Sequence, residues 1–159
     1  MVVIISLILC LAGCAGNASQ KKEEQLPAFD LLMSDSITHM NTASIEAGHP
    51  IALLYFSPDC EHCQEETETI LKHMDSLKNV RFYFITNDPL DRLRGFNIAY
   101  GLYKHKNITV CWDNQFLFPR HFKGAFPPYL VLYDRQRRQR GIYEGGLKAS
   151  QMIEIANKL

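Results

Sequence analysis

Several things are missing from this chain, and each absence removes a class of function. Lysine plus arginine and aspartate plus glutamate both total 17, so the formal net charge is zero and no broad basic surface marks a nucleic-acid partner. The most apolar stretch, Val2 to Leu11, is too short to span a bilayer as a mature helix, which takes about 20 residues. No glycine-rich nucleotide loop or flavin motif occurs, so no cofactor is expected and any redox chemistry must draw its electrons from outside the domain. There is no second CxxC and no HxxxH, although a zinc site normally needs a second pair of ligands, so no metal is expected. No internal repeat is visible. No Lys or Arg precedes Lys21, whereas a signal peptide usually opens with one, so the true start of translation is expected further upstream.

The most informative feature present is Cys60-Glu61-His62-Cys63. It follows a strand-like apolar run, Ile51 to Phe56, and opens an amphipathic helical stretch. Two thiols at this spacing on a helix start can close a local disulfide and exchange it with partners, and the helix N-terminus favours the nucleophilic thiolate. Zinc pairs share the spacing, but the placement favours redox exchange. At about 100° per residue, Cys63, Thr67, Ile70, Leu71, Met74 and Leu77 share one helix face. Cys63 is therefore expected in the core and Cys60 at its edge, which makes Cys60 the attacking thiol and Cys63 the resolving one.

The neighbours of the pair are acidic. Glu61, Glu65 and Glu68 point to water, while Glu66 flanks the apolar face beside the thiols. Glu66 has two readings: a boundary glutamate reaching solvent, or a partly desolvated carboxylate that moves protons for the cysteines. Asp59 is expected either to cap the helix or, with Glu61, to raise the Cys60 pKa; protonated His62 and the helix terminus would lower it. His62 has no place on the apolar face and is expected to be an exposed, tuning residue. Cys111, within Ile108 to Trp112, reads as a small buried core residue, and Trp112 and the phenylalanines read as core material.

At the N-terminus, Leu11-Ala12-Gly13-Cys14 resembles the bacterial lipobox, in which the cysteine is lipidated and becomes the new first residue. The expected organisation is a lipoprotein signal peptide over 1–13, a lipidated Cys14 with a flexible tether over 14–26, and one domain over 27–159. Cys10 would leave with the signal. Lys22-Glu23-Glu24 loosely resembles the charged surface-export signals of some Bacteroidetes lipoproteins, but reads better as solvated linker.

Within the domain the pattern alternates. Strands are predicted at Phe29 to Met33, Ile51 to Phe56, Val80 to Thr86, Ile108 to Trp112, Tyr129 to Tyr133 and Gln139 to Glu144. Helices are predicted at Glu61 to Lys78, Leu90 to Tyr103, near Phe116 to Phe122, and at Ser150 to Leu159. Ile37 to Ala47 reads as irregular or loosely helical. Arg135, Arg137, Arg138 and Arg140 cluster at a turn and read as a solvated tip, with anionic lipid or glycan contact as the alternative. This alternation argues for an α/β layered domain.

The segment Tyr55 to Glu66 resembles the active-site region of extracytoplasmic thioredoxin-like proteins of the TlpA/ResA type, which place a glutamate three residues after the second cysteine, as Glu66 stands here. Gly124 to Asp134 resembles that family's cis-proline loop and following strand, with Pro128 at the cis-proline position. Gly145-Gly146 and the last helix match its ending. The resemblance implies a thioredoxin-like fold with a central mixed β-sheet flanked by helices on both faces, and a catalytic set of Cys60, Cys63, Glu66 and Pro128. It also implies disulfide reduction, disulfide-bonded substrate proteins, a membrane thiol donor and a lipid-anchored place in the bacterial envelope facing the periplasm, the cell surface being the alternative. Two departures stand out: Asp59 replaces the family's usual tryptophan, and Leu54 replaces the buried aspartate of thioredoxin itself, leaving Glu66 to transfer protons. A thiol peroxidase would need Pro-x-x-x-Thr-x-x-Cys, but Leu53 and Ser57 hold those positions. A noncatalytic metal- or thiol-binding module is the other alternative.

Overall fold

The computed structural model describes residues 24–159; Cys14, the expected signal peptide and most of the expected tether lie outside them. Seven strands are present: β1 (Asp30–Met33), β2 (His39–Asn41), β3 (Ile51–Tyr55), β4 (Arg81–Thr86), β5 (Ile108–Trp112), β6 (Tyr129–Tyr133) and β7 (Gln139–Glu144). They form one mixed sheet in the order β2-β1-β5-β4-β3-β6-β7. β3, β4 and β5 run parallel, while β1, β6 and β7 pair antiparallel. The helices are α1 (Glu61–Lys72), α2 (Met74–Leu77), α3 (Leu90–Ala99), α4 (Leu117–His121) and α5 (Ala149–Lys158).

β3 and β6 are apolar throughout, and β4 from Phe82 to Ile85, because both faces of the sheet are covered. Ala52, Leu54, Phe82, Phe84, Val110 and Leu130 pack on one side against Ile70 of α1, Leu93 and Phe96 of α3, and Met152 of α5. Ile51, Leu53, Tyr55, Ile85, Val131 and Tyr133 face the other side, beneath Phe118 of α4, Ile45 and Phe29. Helices thus lie on both faces, with the heavier layer on the side of α1.

Four local expectations are corrected. The stretch expected to be irregular or loosely helical contains β2, because Asp35 accepts hydrogen bonds from the amides of Ile37 and Thr38 and from the Thr38 hydroxyl, closing a hairpin turn. The expected helix from Glu61 to Lys78 divides at His73, whose backbone leaves helical geometry at ψ 19°. The helix from Leu90 stops at Ala99, two residues before Gly101, which adopts φ +62° and opens a short 3-10 turn. The arginine cluster is more than a solvated tip. Arg138 and Arg140 bind the buried Asp134 carboxylate, and Arg137 reaches the Ala43 carbonyl at 3.1 Å. Burial alone would push the Asp134 carboxyl up, but the amides and guanidiniums around it hold it below its ordinary range. The end of the expected tether pairs at this turn too, since Gln25 bridges Arg138 and Gln139 N–H donates to the Glu24 carbonyl.

Candidate functional site

The site forms where β3 ends. Phe56 N–H still donates to Ile85 of β4 at 3.0 Å, and Ser57-Pro58-Asp59 then turns the chain into α1. Cys60 is the N-cap residue, in extended geometry at φ −85°, ψ 117°, and its carbonyl accepts from Gln64 N–H at 3.0 Å. The Gln64 side chain donates back to the Pro58 carbonyl at 2.9 Å, pinning the turn to the helix. No side chain caps α1, so the expectation of an Asp59 cap is corrected. Asp59 is exposed and pairs instead with Arg92 of α3 at 2.9 Å.

The two thiols occupy different surroundings. Cys60 is partly exposed at the helix tip, and Cys63 is fully buried one turn on, both as free thiols. Burial pushes the Cys63 thiol far above its ordinary range, against the lowering effect of the Ser57 amide, which donates to its sulfur at 3.5 Å. Cys60 and Glu66 both add to the upward push. His62 and Glu61 are exposed beside them.

The Pro127–Pro128 bond is cis, and this loop lies beside the pair: Cys60 Sγ is 3.9 Å from the Pro127 carbonyl oxygen. Pro128 is itself held from behind, its carbonyl accepting from Gly145 N–H at 2.9 Å.

Glu66 is buried to 6% exposure, despite being charged in water. Burial raises its carboxyl to about 7, only partly offset by the Leu147 amide, which donates to both carboxylate oxygens at 3.1 and 3.2 Å. The seat is tight. A Cβ on Gly146, which holds φ +87°, would fall 2.6 Å from Glu66 Oε2. A groove of about 410 Å³ lined by His62, Glu65, Glu66, Gly146 and Lys148 opens this carboxyl towards solvent. A thiol partly open to partners, a buried thiol behind it and a carboxyl titrating near neutrality can together exchange disulfides and move the accompanying proton.

Cys60, Cys63 and Glu66, within seven residues of one helix start, are therefore gathered with the sequence-distant Pro128 at the C-terminal edge of β3. Cys111 lies elsewhere, buried in the opposite core, where burial pushes its thiol up to about 12. Among the described residues, no group of three or more His, Cys, Asp or Glu side chains comes together as a metal would require. Residue-type reasoning missed Gly146 and Leu147 as the seat of Glu66, and Arg92 as the partner of Asp59. It also misplaced two phenylalanines: Phe126, 83% exposed beside Pro127, and Phe116, 51% exposed, are surface residues. The adjoining proline pair was the available signal for Phe126, since a loop of that composition leaves little room to bury a ring.

No protein-family model matches the chain, and no curated protein matches it. Solved structures do. A secreted Mycobacterium tuberculosis disulfide oxidoreductase described as homologous to E. coli DsbE is 17% identical, with TM-score 0.70 over 82% of this chain and 96% of that one. A thiol:disulfide interchange protein of the thioredoxin family from Chlorobium tepidum is 17% identical, with TM-score 0.71 over 86% and 96%. A thioredoxin-like protein from Porphyromonas gingivalis is 19% identical, with TM-score 0.69 over 84% and 90%. With the sheet order, the cis-proline loop and the dithiol helix, these likenesses identify the chain as a protein of thioredoxin-like fold.

Proposed function

We propose that this protein is a thiol-disulfide oxidoreductase that reduces disulfides of extracytoplasmic proteins while tethered to a membrane by a lipid on Cys14. The observation that carries the reading is the asymmetry of the pair: Cys60 partly open at the tip of α1 and Cys63 buried behind it. Cys60 thiolate attacks a substrate disulfide, forming a mixed disulfide and expelling one substrate thiolate. Cys63 then attacks Cys60 Sγ, freeing the second substrate thiol and leaving a Cys60–Cys63 disulfide. Two electrons have passed to the substrate, and a membrane thiol donor returns them. The proton on Cys63 must leave before it attacks, and Glu66 supports that step, with a carboxyl raised to about 7. The Pro127 carbonyl beside Cys60 gives an extended substrate segment a backbone acceptor. The tether is supported by the lipobox-like sequence at Leu11 to Cys14, and among the described residues no helix is long and apolar enough to cross a membrane.

Insulin reduction by the dithiol form, followed by turbidity and paired with a measurement of bound metal, tests this reading. The expected result is turnover by a metal-free protein. Tight metal without turnover would establish a binding module, and peroxide consumption without insulin reduction would establish a peroxidase. The reduction potential of the pair then fixes direction, a reductase lying at the more negative end of the thioredoxin-fold range.

A further inference from the structure

A second concavity lies at the end of the sheet opposite the thiols. His49, Lys78, Arg81 and Lys106, with Asn79 and Thr109, line a groove of about 340 Å³ whose wall contains no carboxylate. Strand register explains the cluster: Ile51 pairs with Arg81 and Phe82 with Ile108, so the residues leading into the three parallel strands meet along one edge. Among the described residues, none of Lys78, Arg81 and Lys106 forms an ion pair. The chain is neutral overall, so this positive end is matched by negative charge elsewhere. Glu61 and Glu65, which form no ion pair among the described residues, lie at the thiol end, beyond a five-residue strand about 17 Å long.

The same edge receives the N-terminal segment. Ile51 pairs with Tyr133 and Tyr133 with Gln139, and the Glu24 carbonyl accepts from Gln139 N–H. Glu24 therefore enters the domain roughly 15 Å, three strand spacings, from the start of β3. The ten residues from Cys14 to Glu24 reach at most about 35 Å. The chain thus meets its expected anchor at its basic end.

We infer that this basic groove docks on the phosphates of anionic phospholipids, laying the sheet's far end on the membrane and turning Cys60 away from it. The inference rests on the reading of Cys14 as the lipid-bearing residue. An anionic leaflet strengthens contact about fivefold for each lysine or arginine near its surface, and the effect fades beyond about 10 Å of ordinary saline. Three clustered cations at the tethered end suit that field. The acidic thiol end is repelled by it and stays open to substrate proteins.

Lysine acetylation of the lipidated full chain tests the orientation, with modification read residue by residue by mass spectrometry. The chain is placed on vesicles of phosphatidylcholine, on phosphatidylcholine mixed with phosphatidylglycerol, or in inorganic phosphate without vesicles. On the anionic vesicles, Lys78 and Lys106 should react about fivefold more slowly than on neutral ones, relative to Lys148 beside the thiols. The double variant Lys78→Glu/Lys106→Glu should lose the preference for anionic vesicles and keep insulin reduction. A chain that floats with both vesicles but shows equal lysine reactivity on each overturns the docking and leaves the tether standing. Failure to float with neutral vesicles, with protection persisting on anionic ones, removes the lipid reading and keeps the docking. Protection by inorganic phosphate alone overturns the membrane assignment in favour of a soluble phosphate ligand.

Discussion

Replacing Glu66 with glutamine should stabilise the reduced protein above neutral pH and leave it unchanged in acid. The carboxyl lies under Gly146 with the Leu147 amide as its hydrogen-bond donor, and burial raises it from 4.5 to about 7. Between those values the native state holds a proton that the unfolded chain has released. Stability therefore falls as pH rises through the window and levels off above about 7. At about 1.4 kcal/mol per pKa unit, ionising this buried group costs about 3 kcal/mol in total. Glutamine keeps the shape and a carbonyl to accept from Leu147 N–H, but has no charge to desolvate. The two proteins should then unfold alike near pH 4 and differ by up to about 3 kcal/mol at pH 8. For a domain of this size that gap is a shift of roughly 10 °C in Tm.

Urea unfolding of both proteins, thiols kept reduced, at several pH values from 4 to 8 gives the comparison directly. Taking the difference at each pH cancels every group the two chains share. His62, Glu65 and Lys148 line the same groove and are retained in both. Parallel stability profiles would mean that Glu66 does not titrate near neutrality, and the proton-transfer role would go with it. If the profiles diverge as expected, the same variant should slow resolution of the mixed disulfide about 10- to 100-fold and move its pH profile, because attack by Cys60 needs no help from Glu66.

The thiol roles predict that Cys63→Ser accumulates mixed disulfides with partner proteins on non-reducing gels, whereas Cys60→Ser neither traps nor exchanges; equal alkylation rates at the two reduced thiols would contradict the assignment. Cys14→Ser should move the protein from the membrane to the soluble fraction with insulin reduction intact, and a wild-type protein cleaved elsewhere and fully soluble would end the lipidation reading. Asp134→Ala should cost about 2–3 kcal/mol in urea unfolding, since it strips the Gln136 and Arg138 amides and two guanidiniums of a buried acceptor. Gly146→Ala should lose about 1–2 kcal/mol from its left-handed backbone alone, with a further loss from contact with Glu66; unfolding at the wild-type midpoint would show that the seat is not tight.

The parts of the molecule legible in the sequence were those written in one local pattern. Ile51 to Phe56 and Phe82 to Ile85 are apolar throughout because helices cover both faces of the sheet, so each run announced a buried strand. The placement of Cys63 inside and Glu66 at the edge of one helix face followed from a 100° period. The hairpin β1–β2 did not follow, because its strands are three and four residues long and the turn depends on one carboxylate, Asp35. The arginines looked solvated because the buried carboxylate they serve, Asp134, sits at the boundary of a strand, where an acidic residue ordinarily reads as a turn former.

The rest was out of reach because it joins residues far apart in the chain. Leu147 offers Glu66 only its backbone amide, and a backbone amide leaves no mark in residue type. Gly145 holds the Pro128 carbonyl in the same way, so the two-glycine break after β7 braces both the carboxyl behind Cys63 and the loop in front of Cys60. An ionised carboxylate accepts Leu147 N–H more strongly than a neutral one, yet burial outweighs that gain and keeps Glu66 protonated up to about 7. The competition between those two effects, one from a single amide and one from the packing of α1 against the C-terminal segment, sets where the site releases its proton. Changes in residues 145–147 should therefore move the pH dependence of the dithiol without touching either cysteine.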